Sequence, residues 1–140
     1  MPLWKVYHPE EAFSSEDKQA IAQRITGIYR ELPPFYVGVI FEAIPKSSLY
    51  IGGEPANDFV RISVDHIART LNEDEKKQQF LDFVAKRLAP FIAERGLRWE
   101  MHVDETPFSL WTVDGYRPPL PGSPDEIRWR TENRPSPLQS

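Results

Sequence analysis

At 140 residues and a formal net charge of −4, the chain has the length of one domain and can bury a core unaided. The acidic balance excludes nucleic acid as a main partner, since that would call for a basic face. The absence of cysteine excludes a disulfide framework and thiolate chemistry.

No apolar run reaches membrane-spanning length, and residues 3–7 are too short for the apolar part of a secretory signal. No membrane partner is expected, and the expected location is soluble and cytoplasmic. His8, His66 and His102 lack the spacing of metal ligands, so neither a metal nor another cofactor is expected. Of the fourteen prolines, six lie beyond Arg117.

Taken in order, residues 3–7 alternate as a strand: Leu3, Lys5 and Tyr7 point one way, Pro2, Trp4 and Val6 the other. His8-Pro9 ends it. Ser14 or Ser15 offers an N-cap, and Ile21, Ile25, Ile28 and Leu32 recur at helical spacing. A first helix is therefore predicted over residues 16–31, stopping before Pro33-Pro34. Residues 36–44 are apolar at both parities, which predicts a central strand covered on two faces. Residues 46–57 form a loop punctuated by Gly52-Gly53, with a short edge hairpin possible through Leu49-Tyr50-Ile51.

The pattern then restarts. Residues 59–65 alternate as a strand. Asn72 offers a cap for a second helix whose buried face is Phe80, Leu81, Val84, Leu88, Phe91 and Ile92. Pro90 should kink or end that helix, and Arg95-Gly96 closes it. Residues 97–103 form the fourth strand.

The order β-α-β, loop, β-α-β gives an α/β (α+β) fold. Right-handed crossovers make the strands of each half parallel, and two halves build a four-stranded sheet with both helices on one face. Val39, Phe41, Ile62, Val64, Met101 and Val103 suggest that the second face is apolar too, which predicts an oligomer. Residues 1–116 form this domain. Residues 117–140 are a Pro-rich, extended C-terminal arm, with a helical turn or two after Pro124. Leu120, Ile127 and Trp129 point to an arm that wraps a subunit.

Four groups could carry chemistry. Pro2 stands directly behind Met1, and a small second residue normally allows the initiator methionine to be removed. Pro2 would then carry a free secondary amine, a group that titrates near pH ~8 and lower when buried. Arg69 lies past the third strand, where open α/β sheets place their sites, and could clamp a carboxylate through paired N–H bonds. His102 lies on the fourth strand, ahead of Asp104-Glu105. Asp114-Gly115 is a turn with a carboxylate.

Pro2 behind Met1, the two β-α-β halves and an arginine after the third strand together resemble the tautomerase superfamily. The opening Trp4-Lys5-Val6-Tyr7-His8-Pro9 and the segments Val60-Arg61-Ile62, His66-Ile67-Ala68-Arg69, Asp104-Glu105-Thr106-Pro107 and Leu110-Trp111 are similar to fungal proteins grouped with cis-3-chloroacrylic acid dehalogenase, of oxalocrotonate tautomerase type. The resemblance spans residues 1–135. It implies a homotrimer with sites built around the amino-terminal proline and completed by a neighbouring chain.

Residue by residue, the resemblance carries over Pro2 and, as the first of two arginines, Arg69. The second arginine falls on Asn72, the helix histidine on Tyr29, the strand tyrosine on His102, and the glutamate on Val113 beside Asp114. The implied catalytic set is Pro2, Tyr29, His102 and Asp114, with Arg69 and Asn72 for substrate. The implied substrate is a small 2-oxo or unsaturated carboxylic acid, and the implied reaction is keto–enol tautomerisation. The alternatives are a hydratase, dehalogenase or decarboxylase acting on a three-carbon acid, or a trimeric binding protein with a vestigial site.

Overall fold

A computed structural model of the chain describes residues 2–139. The two halves meet at the centre of one sheet. Strand β1 (Leu3–Pro9) and helix α1 (Ser15–Thr26) lead to β2 (Gly38–Ile44); β5 (Phe59–His66) and α2 (Asp74–Leu88) lead to β6 (Arg98–Glu105). Between the halves, β3 (Tyr50–Ile51) and β4 (Glu54–Pro55) pair over Gly52-Gly53, whose positive φ values of 60° and 84° suit glycine in a two-residue turn. The four-stranded order is β2-β1-β5-β6. The outer pairs are parallel and the β1/β5 seam is antiparallel.

Both helices pack on one face, where Trp4, Val6, Ile21, Ile25, Val60, Ile62, Val64, Val84 and Leu88 are buried. Ser14 and Asp17 form a capping box at the start of α1. Arg95 forks onto Asp17 at 2.8 and 3.0 Å, and this hydrogen-bonded guanidinium holds the Asp17 carboxyl well below the usual range.

Several expectations need correction. The β2 strand is an edge strand, not a central one, because β1 and β5 occupy the middle. It begins at Gly38, since residues Pro34–Tyr36 form a 3-10 turn that buries Tyr36. The second sheet face is not apolar. Val39, Phe41, Ile62, Val64, Met101 and Val103 all share the helix-covered face with Trp4, by register. The opposite face is mostly polar: it carries Lys5, Tyr7, Glu42, Arg61, Ser63, Asp65, Glu100, His102 and Asp104, with Leu3, Ile40, Ile44 and Phe59 among them. Helix α1 ends at Thr26, whose hydroxyl bonds back to the Ala22 carbonyl at 2.8 Å, and a 3-10 turn (Gly27–Tyr29) follows. Helix α2 is capped by Glu73 and not by Asn72, with no side-chain cap bond.

Beyond Arg117 the chain forms α3 (Pro124–Glu132), capped by Ser123. Trp129 is fully buried against Leu32, Tyr36 and Ala68 of the same chain, in a second core at one end of the sheet. Leu120 and Ile127 stay exposed, at 69% and 48%.

Candidate active site

Pro2 is buried, and its carbonyl accepts a bond from the Gly38 N–H at 2.9 Å. On the β1/β5 seam Trp4 faces Val64 and Leu3 faces Asp65, so the next step outward sets Pro2 against His66. Both belong to the helix-covered face. His66 continues the buried parity of Val60, Ile62 and Val64, and is itself buried.

The 3-10 turn after α1 brings Tyr29 to this corner. Its hydroxyl accepts from Trp4 Nε1–H at 3.1 Å and lies 2.6 Å from His66 Nε2. Phe80 packs edge-on against the His66 ring, 5.2 Å between centroids. Burial holds the Tyr29 phenol protonated well above its ordinary range. Burial also lowers His66, with Glu105 partly opposing it. A neutral His66 can accept a hydrogen bond from the Tyr29 O–H at Nε2. In the other tautomer it donates to the phenol oxygen and leaves that O–H free to turn elsewhere. Its Nδ1 is buried without a partner among the described residues.

Arg69 lies in the loop after β5. Tyr29 and Arg69 line one open cavity of about 420 Å³, with Ile28, Arg30, Glu31 and Leu32. The Arg69 guanidinium is already engaged on one edge: Nη2 donates to Glu126 Oε1 at 2.9 Å and Nη1 to Glu126 Oε2 at 3.2 Å. Nη1 also donates to the Ala68 carbonyl at 2.9 Å. Glu126 is buried on α3 and takes a third bond from Gly122 N–H at 2.9 Å.

Pro2 is not among the residues that line this cavity, and its place beside it follows only from the register with His66; Asn72, Asp114 and His102 do not line it either. Asn72 is exposed ahead of α2. Asp114 sits at φ 50° in the exposed turn closed by the Val113–Tyr116 bridge, a position that asparagine and aspartate tolerate. His102 projects from the polar sheet face. Arg61 can only donate, so His102 Nδ1 accepts at 2.6 Å, and Nε2–H faces Asp104 at 3.1 Å. A separate cavity of about 440 Å³ between α2 and β6 is lined by His102, Asp104, Glu105 and Lys77.

Sequence reasoning missed Glu126 and took His66 only as part of the segment that leads to Arg69, yet the fold makes both central. His66 carried a signal, a polar side chain at the buried parity of a strand. Glu126 carried a misleading one: Ser123-Pro124-Asp125-Glu126 has the spacing of a capping box. Ser123 does cap, accepting from Glu126 N–H at 3.2 Å, but the Glu126 carboxylate turns away to Gly122 and Arg69.

The model of the family described as "Putative oxalocrotonate tautomerase enzyme" matches residues 1–134. RhCC from Rhodococcus jostii RHA1 is 45% identical, with a TM-score of 0.93 over 97% of this chain and 99% of that one. A probable enzyme from the thermophilic fungus Aspergillus fumigatus is 39% identical, with a TM-score of 0.92 over 99% and 98% of the two chains. N1, a member of the cis-3-chloroacrylic acid dehalogenase family, is 22% identical and shares the fold, with a TM-score of 0.74 over 94% and 97%. No curated protein matches. With a family match over nearly its whole length and relatives of this similarity in a bacterium and a fungus, the chain belongs to the oxalocrotonate tautomerase-type family of the tautomerase superfamily.

Proposed function

We propose that the chain, once Met1 is removed, is a keto–enol tautomerase of small 2-oxo acids that uses the Pro2 amine to carry the proton. The observation that carries this reading is the joint placement of Tyr29 and Arg69 on one cavity. The Tyr29 hydroxyl is tied to Trp4, on the face of β1 that Pro2 shares, and to His66, opposite Pro2. The substrate carboxylate sits on Arg69. The Tyr29 O–H meets the oxygen where negative charge develops. Neutral Pro2 takes the enol proton and returns it to carbon, as base and then acid. Glu126 balances the charge of Arg69, so in this reading a neutral Pro2 rests on its burial and not on repulsion from Arg69.

Hydration of an unsaturated acid needs a carboxylate that activates water. Asp114 is not among the residues that line this cavity within the chain, which gives that reading less support.

The active form in this reading is a homotrimer. The β2 and β6 strands both keep a free edge, and a long open edge is a liability unless paired. Joining β6 of one copy to β2 of the next is a head-to-tail contact that can close a ring. A fused 4-OT of the same fold, 18% identical with a TM-score of 0.65, is an asymmetric trimer.

Pro2→Ala tests the mechanism. Intact mass first establishes that Met1 is gone. Ultraviolet assay of phenylpyruvate enol should then reveal a kcat loss of roughly 10²–10⁴-fold, the range of general acid–base catalysis, with KM little changed. Undiminished turnover would make the proline structural.

A further inference from the structure

We infer that Glu126, on the C-terminal helix, is a positioning residue: it fixes the Arg69 guanidinium so that its remaining donor edge faces the Tyr29 cavity and receives the substrate carboxylate. The inference rests on the tautomerase reading above and adds the C-terminal arm to the site.

The argument begins with the donors of the guanidinium. Arginine has five N–H bonds in a plane. Both hydrogens of Nη1 are used, one on Glu126 Oε2 and one on the Ala68 carbonyl. One hydrogen of Nη2 is used on Glu126 Oε1. Two donors remain, the Nε–H and the second Nη2–H. They lie side by side on one edge and match the two oxygens of a carboxylate. Neither has a partner among the described residues.

Placement agrees with this division. Arg69 lies between two cavities. Glu31 lines both as well, whereas Glu126 lines only the smaller one, of about 280 Å³, together with Gly122, Ile127 and Arg130. Tyr29 lines only the larger one. The internal carboxylate therefore takes the edge away from Tyr29 and leaves the other edge intact.

Glu126 is itself rigidly held. It is buried, bonded to Gly122 N–H, and anchored by the helix turn that buries Trp129. A half-exposed arginine in an open cavity would otherwise sample many rotamers and lose that freedom on binding. The fork from Glu126 removes that loss beforehand. The physical reason for a carboxylate here is geometric: two parallel bonds set a plane, which one bond cannot do.

The test is Glu126→Gln, which keeps the shape but places an NH₂ against an Arg69 N–H. With phenylpyruvate enol, KM should rise about 10-fold, the weight of roughly one charge-assisted bond, while kcat holds. In an Arg69→Lys background the planar fork is gone, so Glu126→Gln should raise KM no further. If the Gln variant does not fold, the wild type decides through the Arg69 Nε–H nuclear magnetic resonance signal, which should move on titration with phenylpyruvate. A KM increase of equal size in both backgrounds, or an unmoved Nε–H in an enzyme that turns over, overturns the inference alone. If Arg69→Lys itself leaves KM unchanged, the carboxylate seat fails and the inference falls with it.

Discussion

Two buried histidines should make the fold acid-sensitive well above the range where carboxylates titrate. His8 is fully buried between Phe13 and Phe41, with ring centroids 5.0 and 6.1 Å away. Its Nδ1 is 2.7 Å from the Pro9 carbonyl, so that nitrogen carries the proton, and the buried Nε2 has no acceptor among the described residues to face if it too is protonated. Burial lowers His8, opposed by the Pro9 carbonyl and reinforced by Lys18. Burial likewise lowers His66, whose Nδ1 is unpartnered. Both have folded pKa values below the ordinary 6.5. As pH falls through 6.5 the unfolded chain takes up protons first, so stability is full above that value and declines between it and the folded pKa. Each histidine contributes a slope of up to about 1.4 kcal/mol per pH unit, so the pair gives up to about 2.7. Against a typical total of about 5–15 kcal/mol, one pH unit is then a visible fraction. Urea denaturation at fixed protein concentration, at pH 7.5, 6.5 and 5.5, measures it. His8→Gln should roughly halve the slope. A flat profile over that range, or an unchanged slope in His8→Gln, would refute the reasoning.

Other expectations follow from the same geometry. Arg69→Ala should raise KM about 10- to 150-fold, the weight of a charge-assisted bond of ~1.5–3 kcal/mol, and Arg69→Lys should raise it less, because lysine keeps the charge but not the fork. Steady-state kinetics on both variants checks the order, and equal unchanged values would remove Arg69 from the site. Trp129→Ala empties a fully buried site and should cost about 3–5 kcal/mol, read by denaturation, with earlier proteolytic cleavage beyond Arg117. Sedimentation should find a trimer, and a folded monomer at high concentration would sink the ring of paired edges.

The parts of this fold legible in the sequence are those governed by local pattern. Alternation located β1 and β5, and helical spacing through Val84 and Leu88 located α2. The face assignment failed for a definable reason. Val39, Ile62 and Met101 belong to three strands, and only register reveals that they share one side. Strand order was equally hidden: β2 is apolar enough for a central strand, yet it lies at the edge. Asn72 had the chemistry of a cap, but the chain before α2 is held instead by Glu105, which accepts from Leu71 N–H at 2.7 Å. At the site, Arg69 was legible from its place after a strand and Tyr29 came through resemblance, and the two do share a cavity. The Arg69–Glu126 fork joins residues 57 positions apart, and neither residue's neighbours in sequence announce the other.

The antiparallel seam between β1 and β5 also bears on how much of this chain must be continuous. Five residue pairs, from Leu3–Asp65 to Tyr7–Arg61, join the halves there, and the shared core lies beneath them. The link in sequence between the halves is the exposed hairpin at Gly52-Gly53, which lies outside the main sheet. A break at that turn would sever no pairing of the four strands. The amino-terminal fragment would keep β1, α1 and β2, and the other would keep β5, α2 and β6. Helix α3 belongs to the second fragment yet seats Trp129 on Leu32 and Tyr36 of the first, a clasp across the cut. The molecule is thus two interlocking pieces written as one polypeptide, and the hairpin acts as a tether that raises their local concentration.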